Sequence, residues 1–255
     1  MSANNSNRIY TGTSGLVLPL PNRRSFPPEM QNKSRLEIYS SIFNSIEINS
    51  CFYKVPMAST VQRWAAGVSD NFKFTFKLWR QITHNKELIF NPEEVELFMQ
   101  TIAYASEKKG CLLMQFPPGI TIAAIGQLEK LLIAVVRADL THEWKVVVEF
   151  RNRSWYEEAV YDLLARYNAG VVLHDMPSSA ITLLETSVDH VYLRFHGPNG
   201  GYKGSYTDDF LYEYAQYVKE WSNDGKTIYI YFNNTMGDAV KNLMTLNKYI
   251  DSKLV

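Results

Sequence analysis

Apolar residues in this chain fall in short dense runs, and most runs end on a polar side chain. Eight of them read as strands: "RIYTGTS" (8–14), "SIEINSC" (45–51), "FKFTFKL" (72–78), "CLLMQF" (111–116), "KVVVEF" (145–150), "GVVLHD" (170–175), "HVYLRFH" (190–196) and "TIYIYFN" (227–233). Several are apolar at nearly every position, as strands covered on both faces of a parallel sheet are. Helix signals fill most gaps. Asn91, Pro92 and Glu93-Glu94 supply a cap, a first-turn proline and early acids, and Lys108-Lys109-Gly110 supplies a stop. Ser154 and Glu157 have capping-box spacing ahead of an apolar stripe at Val160, Leu163, Leu164 and Tyr167, which predicts a helix over 155–167. Thr207-Asp208-Asp209 opens another, running through Tyr214, Val218 and Trp221.

The strand starts lie 20 to 39 residues apart, room for a crossover helix each time. The interval 175–190 is the least regular; "PSSAITLLETSVD" reads as a short strand or an irregular piece. Eight βα units predict an α/β fold, a parallel eight-stranded (β/α)8 TIM barrel with an irregular sixth crossover. An open doubly wound sheet is the alternative, but its glycine-rich first turn is missing. With 255 residues, 46% of them hydrophobic, and no linker, one domain over 8–255 is expected behind a flexible polar tail, 1–7.

Active sites of such barrels lie at the C-terminal strand ends. Here those ends are polar in succession: Ser14; Glu47 and Asn49; Lys77; Gln115; Glu149 and Arg151; His174 and Asp175; Arg194 and His196; Tyr231 and Asn233. Residues two apart on a strand share a face, so Glu47/Asn49, Glu149/Arg151 and Arg194/His196 can line one mouth. Strand ends meeting solvent explain any single residue. The whole ring is harder to explain that way, because partly burying a charge costs several kcal/mol and apolar substitutes are often as stable. A binding or catalytic site is therefore expected.

Charge narrows the partners. Lys+Arg and Asp+Glu number 26 each, so no general affinity for nucleic acid or anionic membrane is indicated. The polar start lacks a signal-like apolar stretch, no run approaches ~18 apolar residues, and Cys51 and Cys111 are two cysteines without a CxxC. A cytoplasmic protein is expected. No HExxH, GxGxxG or Walker loop supports zincin, dinucleotide or P-loop chemistry.

The loop "HGPNGGYKGSY" (196–206) and the segment "FNNTMGDA" follow the last two strands, where TIM barrels often hold phosphate. With Arg151, Arg194, His196, Lys203 and Asn233 they point to a phosphate or carboxylate ligand, against the plainer reading of a glycine turn with a solvated lysine. Glu47, Glu149 and Asp175 are candidate acid–base carboxylates, and Glu149 is equally a candidate for holding Arg151. As a solvated rim pair, Glu149 and Arg151 would contribute only ~0–1 kcal/mol to stability. Lys77 has the chemistry for a Schiff base, though strand-end lysines more often bind anions. Tyr53, Trp79 and Trp155 are candidates for stacking a sugar or base, with packing the commoner role. His174, Asp175, His196, Glu47 and Glu149 suit a divalent metal by type, but no local spacing fixes two ligands, so no cofactor is predicted.

"EINSCFY", "VVVEFRNRSW", "LHD" followed by "MP", "YLRFHG", "YKGSY" and "YFNNTMGDAV" together resemble the domain-of-unknown-function 72, or YecE-like, family. The likeness spans "GTSG" at 12–15 to the last helix and implies a TIM barrel, without an activity. Family members usually carry a tryptophan-containing stretch after that turn; here it reads "LVLPLPNRRSFPPEM". Their usual small polar residue is Cys51 here, which favours a packed free thiol over a nucleophile. The leading expectation is an enzyme acting on an anionic small molecule, with Arg151, Arg194, His196, Lys203, Asn233, Asn49, Lys77 and Tyr53 binding and a carboxylate transferring protons. The alternatives are a metal-dependent phosphoesterase on nucleic acid, left open by Arg23, Arg24 and the loop 15–33, and a non-catalytic barrel that binds a metabolite or protein.

Overall fold

The computed structural model describes residues 8–181 and 188–252, so the tail expected at 1–7 lies outside it. Within these residues eight parallel strands, β1 (Ile9–Thr13), β2 (Ser45–Ile48), β3 (Lys73–Lys77), β4 (Lys109–Gln115), β5 (Lys145–Glu149), β6 (Gly170–His174), β7 (His190–Phe195) and β8 (Thr227–Phe232), run in the order β1-β8-β7-β6-β5-β4-β3-β2. Helices α1 (Arg35–Ser40), α2 (Ser50–Tyr53), α3 (Ala58–Ala66), α4 (Arg80–Thr83), α5 (Pro92–Ile102), α6 (Ile125–Ala138), α7 (Glu158–Arg166) and α8 (Asp208–Asn223) lie in the crossovers other than that between β6 and β7, whose described residues form no helix, and α9 (Ala239–Asp251) follows β8. This is the (β/α)8 architecture.

Strand alternation divides the core in two. One set of side chains, Cys111, Leu113, Val147, Val172, Tyr192, Tyr229 and Tyr231, packs together inside the barrel with Tyr10 against it. The other set packs outward against the helices. Tyr231 satisfies its buried hydroxyl across the interior, 2.5 Å from Ser45 Oγ and 2.8 Å from Thr75 Oγ1. A buried hydroxyl without such partners would cost about 1–3 kcal/mol.

The seam between β1 and β2 closes mostly through side chains. Asn44 Oδ1 accepts from Thr11 N and its Nδ2 donates to Ile9 O, both at 2.8 Å. Tyr39 accepts from Thr13 N at 2.7 Å and donates to Ser45 O at 3.1 Å. Backbone pairing enters only at the mouth, as a bridge between Ser14 and Glu47 with Gly15 N donating to Glu47 O at 2.8 Å. Gly12 permits the close approach: a Cβ there would stand 2.1 Å from Ser45 O.

Some boundaries differ from the sequence reading. β2 ends at Ile48, and Ser50 and Cys51 begin α2. α5 starts as predicted, with Asn91 accepting from Glu93 N, but it ends at Ile102; a 3-10 stretch follows, and Lys109 and Gly110 belong to β4. The helix expected over 155–167 starts at Glu158, because Asn152 rather than Ser154 caps the preceding turn and Ser154 Oγ accepts from Ile122 N. Thr207 caps α8 as expected, accepting from Phe210 N. In the irregular interval, the described residues 176–181 and 188–189 contain no strand; 182–187 lie outside them.

Candidate functional site in the barrel mouth

The polar strand ends converge on a buried charge network. Arg194, 2% exposed, lies at its centre. Its Nη2 donates to Glu47 Oε1 at 2.8 Å, and its Nε reaches Oε2 at 3.0 Å and Oε1 at 3.2 Å. Its Nη1 donates to Glu149 Oε2 at 3.0 Å and meets His196 Nε2 at 3.1 Å. Arg151 Nε donates to Glu149 Oε1, and its Nη2 approaches His196 Nε2 at 2.9 Å. Tyr192 donates to Glu47 Oε2 at 2.5 Å. Barrel closure brings residue 47 to residue 194; neither strand alone contains the pair.

Both glutamates are wholly buried, and their burial alone would raise their pKa values. Opposing charge wins. Arg194 followed by Arg151 holds Glu149 well below the usual carboxylate range. The charge and hydrogen bonds of Arg194, then Tyr192, keep Glu47 low as well. Ser14 also approaches Glu47, although its hydroxyl completes no hydrogen bond of ordinary geometry. The rim-pair expectation for Glu149 and Arg151 is thereby corrected: Glu149 is 0% exposed and the Arg151 side chain 9%. Charges this far from water are not screened like a surface pair.

His196 faces two guanidinium donors through Nε2, so that nitrogen accepts and the proton sits on Nδ1, which donates to Asp175 Oδ1 at 3.2 Å. Burial lowers its pKa to about 4, keeping the ring neutral. Asp175 further accepts from His196 N at 2.7 Å and from Tyr206 OH. His174 is also kept neutral by burial; its Nε2 donates to Phe150 O at 3.0 Å and its Nδ1 accepts from Met176 N at 3.3 Å. Among the described residues, no three His, Cys, Asp or Glu side chains are grouped to hold a metal ion.

Loops fix this geometry. Trp155 stacks on Phe150 at 4.7 Å, is wholly buried, and donates from Nε1 to Ile120 O at 2.8 Å. It is therefore a core residue that clamps the loop carrying Arg151, not a wall for a ligand. Gly197 has φ of 101°, and a Cβ there would meet Lys203 O at 2.1 Å, so the glycine loop is tightly folded. Lys203 itself is exposed on that loop and is not drawn into the charge network. Asn233 is 9% exposed and its backbone N donates to Phe195 O at 2.7 Å.

The β1–β3 side of the mouth is different. Lys77 is half-buried, with Nζ 4.1 Å from the centroid of the Phe52 ring. Burial, with Arg194 adding repulsion, lowers its pKa to about 8. Ser14 Oγ, Asn49 Oδ1 and Trp79 Nε1 are buried there without hydrogen-bond partners. Tyr53 stands 68% exposed at the rim. Cys51 is a packed thiol: its Sγ lies 2.8 Å from Ile48 O and 3.0 Å from Lys77 O, and burial pushes its pKa up to about 12. Sequence reasoning missed Tyr192 and Tyr206 as partners of the carboxylates; strand parity marked Tyr192 as inward, but nothing local marked Tyr206.

Comparison with known proteins places this geometry in a family. The chain is 26% identical to the UPF0759 protein YunF of Bacillus subtilis (strain 168) over 89% of its length and 90% of YunF. A shorter stretch of 82 residues, 32% of the chain and 30% of the relative, is 30% identical to the UPF0759 protein YecE of Escherichia coli (strain K12). Among solved structures, a DUF72 family protein from Enterococcus faecalis V583 superposes with a TM-score of 0.78 at 20% identity, covering 97% of each chain. One from Thermotoga maritima MSB8 gives 0.75 at 24% identity over 96% of this chain and 99% of that one. The family model described as "Protein of unknown function DUF72" matches residues 10–254, and the chain belongs to that family.

Proposed function

We propose that this barrel is an enzyme acting on a small anionic molecule, phosphorylated or carboxylated, bound at the C-terminal mouth. The observation that carries the reading is the division of charge there. Arg151 and Arg194 are matched by Glu47 and Glu149, and Asp175 accepts from three donors. Lys77 forms no ion pair with any described residue. A buried network of this kind seldom adds stability over apolar packing, which supports a functional reason for keeping it. An unmatched, half-buried ammonium is suited to meet the charge of an incoming anion.

The roles divide accordingly. Lys77 binds the anion, with Asn49 and Ser14 offering polar contacts. Glu47 and Glu149, with every carboxylate oxygen engaged, orient the guanidinium groups. Asp175, 18% exposed at its side chain, is the carboxylate of the three that solvent reaches, and the one left to exchange protons with a ligand. The test is titration with inorganic phosphate and with acetate, followed by a turnover screen against a metabolite extract. Lys77→Met should bind about tenfold more weakly, a loss of roughly 1.4 kcal/mol. Absence of both anion binding and turnover in the wild-type protein would overturn the proposal.

A further inference from the structure

Lys77 differs from the lysines at the strand starts, on the opposite end of the barrel. Lys73 donates to Glu107 O at 2.7 Å, Lys108 pairs with Asp70 at 2.8 Å, Lys145 pairs with Asp189 at 2.6 Å, and Lys109 pairs with Glu143. Lys77 has an aromatic ring in place of an oxygen. Thr75, two residues earlier on the same strand, points across the interior to Tyr231, so strand alternation sends Lys77 into the mouth. The unpartnered Ser14 hydroxyl, Asn49 carbonyl and Trp79 indole N–H lie at the ends of the same three neighbouring strands.

We propose that Lys77 is an imine-forming amine for an aldehyde or ketone that carries an anionic group. The inference rests on the anionic-ligand reading of this mouth and names the functional group that reacts. An amine attacks a carbonyl only when unprotonated and unshared. Lys108, Lys109 and Lys145 are ion-paired with carboxylates, whereas Lys77 is in no ion pair with a described residue. Its pKa of about 8 reflects burial first and Arg194 second, with Glu149 and Glu47 opposing and Arg151 adding to the fall. At pH 7 such a group is roughly one-tenth amine, against about 1 in 2500 for an ordinary lysine. His84, on the same side, is itself held neutral with a pKa near 4 by burial and then by Lys77.

The step balances without a further reactant. The nitrogen lone pair forms the C–N bond while the carbonyl π pair moves to oxygen. The two protons on the amine nitrogen leave with that oxygen as water, giving C=N. The Trp79 N–H, buried without a partner at the end of β3, is the donor for the oxygen as its charge develops. Such a site would serve the class of reactions that break or make a bond next to a carbonyl, because the protonated imine withdraws electrons better than the carbonyl does.

The experiment uses the whole protein, glyoxylate as the probe and cyanoborohydride to reduce any imine, with peptide mass spectrometry following each lysine. Lys77 should be alkylated at least about tenfold faster than the exposed Lys54 and Lys86. Inorganic phosphate should slow labelling at Lys77 and not at those two. In Lys77→Arg the fast-labelled peptide should disappear while the melting temperature holds. Labelling at Lys77 no faster than at Lys54 overturns the imine, and the anionic mouth survives if phosphate still binds wild type more tightly than Lys77→Met. Fast labelling that phosphate neither slows nor competes with would keep the amine chemistry and overturn the anionic reading instead.

Discussion

Glu149→Gln isolates the charge of the central network with almost no change in shape. Glu149 Oε2 is 3.0 Å from Arg194 Nη1, and Oε1 accepts from Arg151, with the whole residue at 0% exposure. Gln removes one of two negative charges and turns an amide N–H₂ toward a guanidinium. Glu47 alone would then face two buried cations. Breaking a buried pair on one side costs about 3–5 kcal/mol. At ~2–4 °C per kcal/mol for a chain of this size, the melting temperature should fall by about 6–20 °C. Arg151→Met should cost less, since Glu149 keeps Arg194. The double variant should be more stable than the sum of the two losses, with a coupling of ~0.5–3 kcal/mol. Thermal scans and urea titrations at pH 7.5 would measure all four proteins, at low and high salt. Salt should change the loss little, because the pair is out of water. A Glu149→Gln melting temperature within about 2 °C of wild type, with additive effects in the cycle, would refute this account of the network.

Acid should destabilise the protein from pH 6.5 downward. The His196 ring titrates near 6.5 when unfolded and near 4 when folded, so between those values the unfolded chain binds more protons; stability is fully present above 6.5 and falls by about 3 kcal/mol toward pH 4. His196→Gln should flatten that limb in a pH series of urea midpoints, and an unchanged slope would count against it. Gly12→Ala should lose more than the ~1 kcal/mol of an average point substitution, because its Cβ meets Ser45 O at 2.1 Å; circular dichroism melts would show it, and a neutral result would mean the seam relaxes freely. Cys51 should resist iodoacetamide in native protein and react after urea, since burial pushes its pKa up to about 12; rapid native labelling would contradict the packed thiol.

The barrel was legible in the sequence because its signal is local and repeated. Dense apolar runs, each ending on polar residues with helix signals between, need only strand periodicity to be read. The inward identities of Glu47, Glu149, Arg151, Arg194 and His196 were legible for the same reason. Their pairing was not, since Arg194 meets Glu47 across 147 positions and only closure brings them together. Local motifs also misled where tertiary partners competed. Ser154 and Glu157 have capping-box spacing, yet Ser154 Oγ serves Ile122 N and the helix waits until Glu158. The burial of the Glu149–Arg151 pair was likewise hidden, because solvent exposure at a strand end depends on the loops folded over it. Here Trp155 draws the following loop inward.

The seam has a dynamic consequence. Between β1 and β2 the amides of Thr11 and Thr13 are held by Asn44 and Tyr39, and the backbone tie lies at Ser14–Glu47. Opening of this seam would therefore break no long ladder. Glu47, the anchor of Arg194, sits on one lip of the seam. Any breathing there is felt by Arg194, and through it by Glu149 and His196. Amide exchange at Thr11 and Thr13 would then report the opening of the seam and the loosening of the charge network as one event.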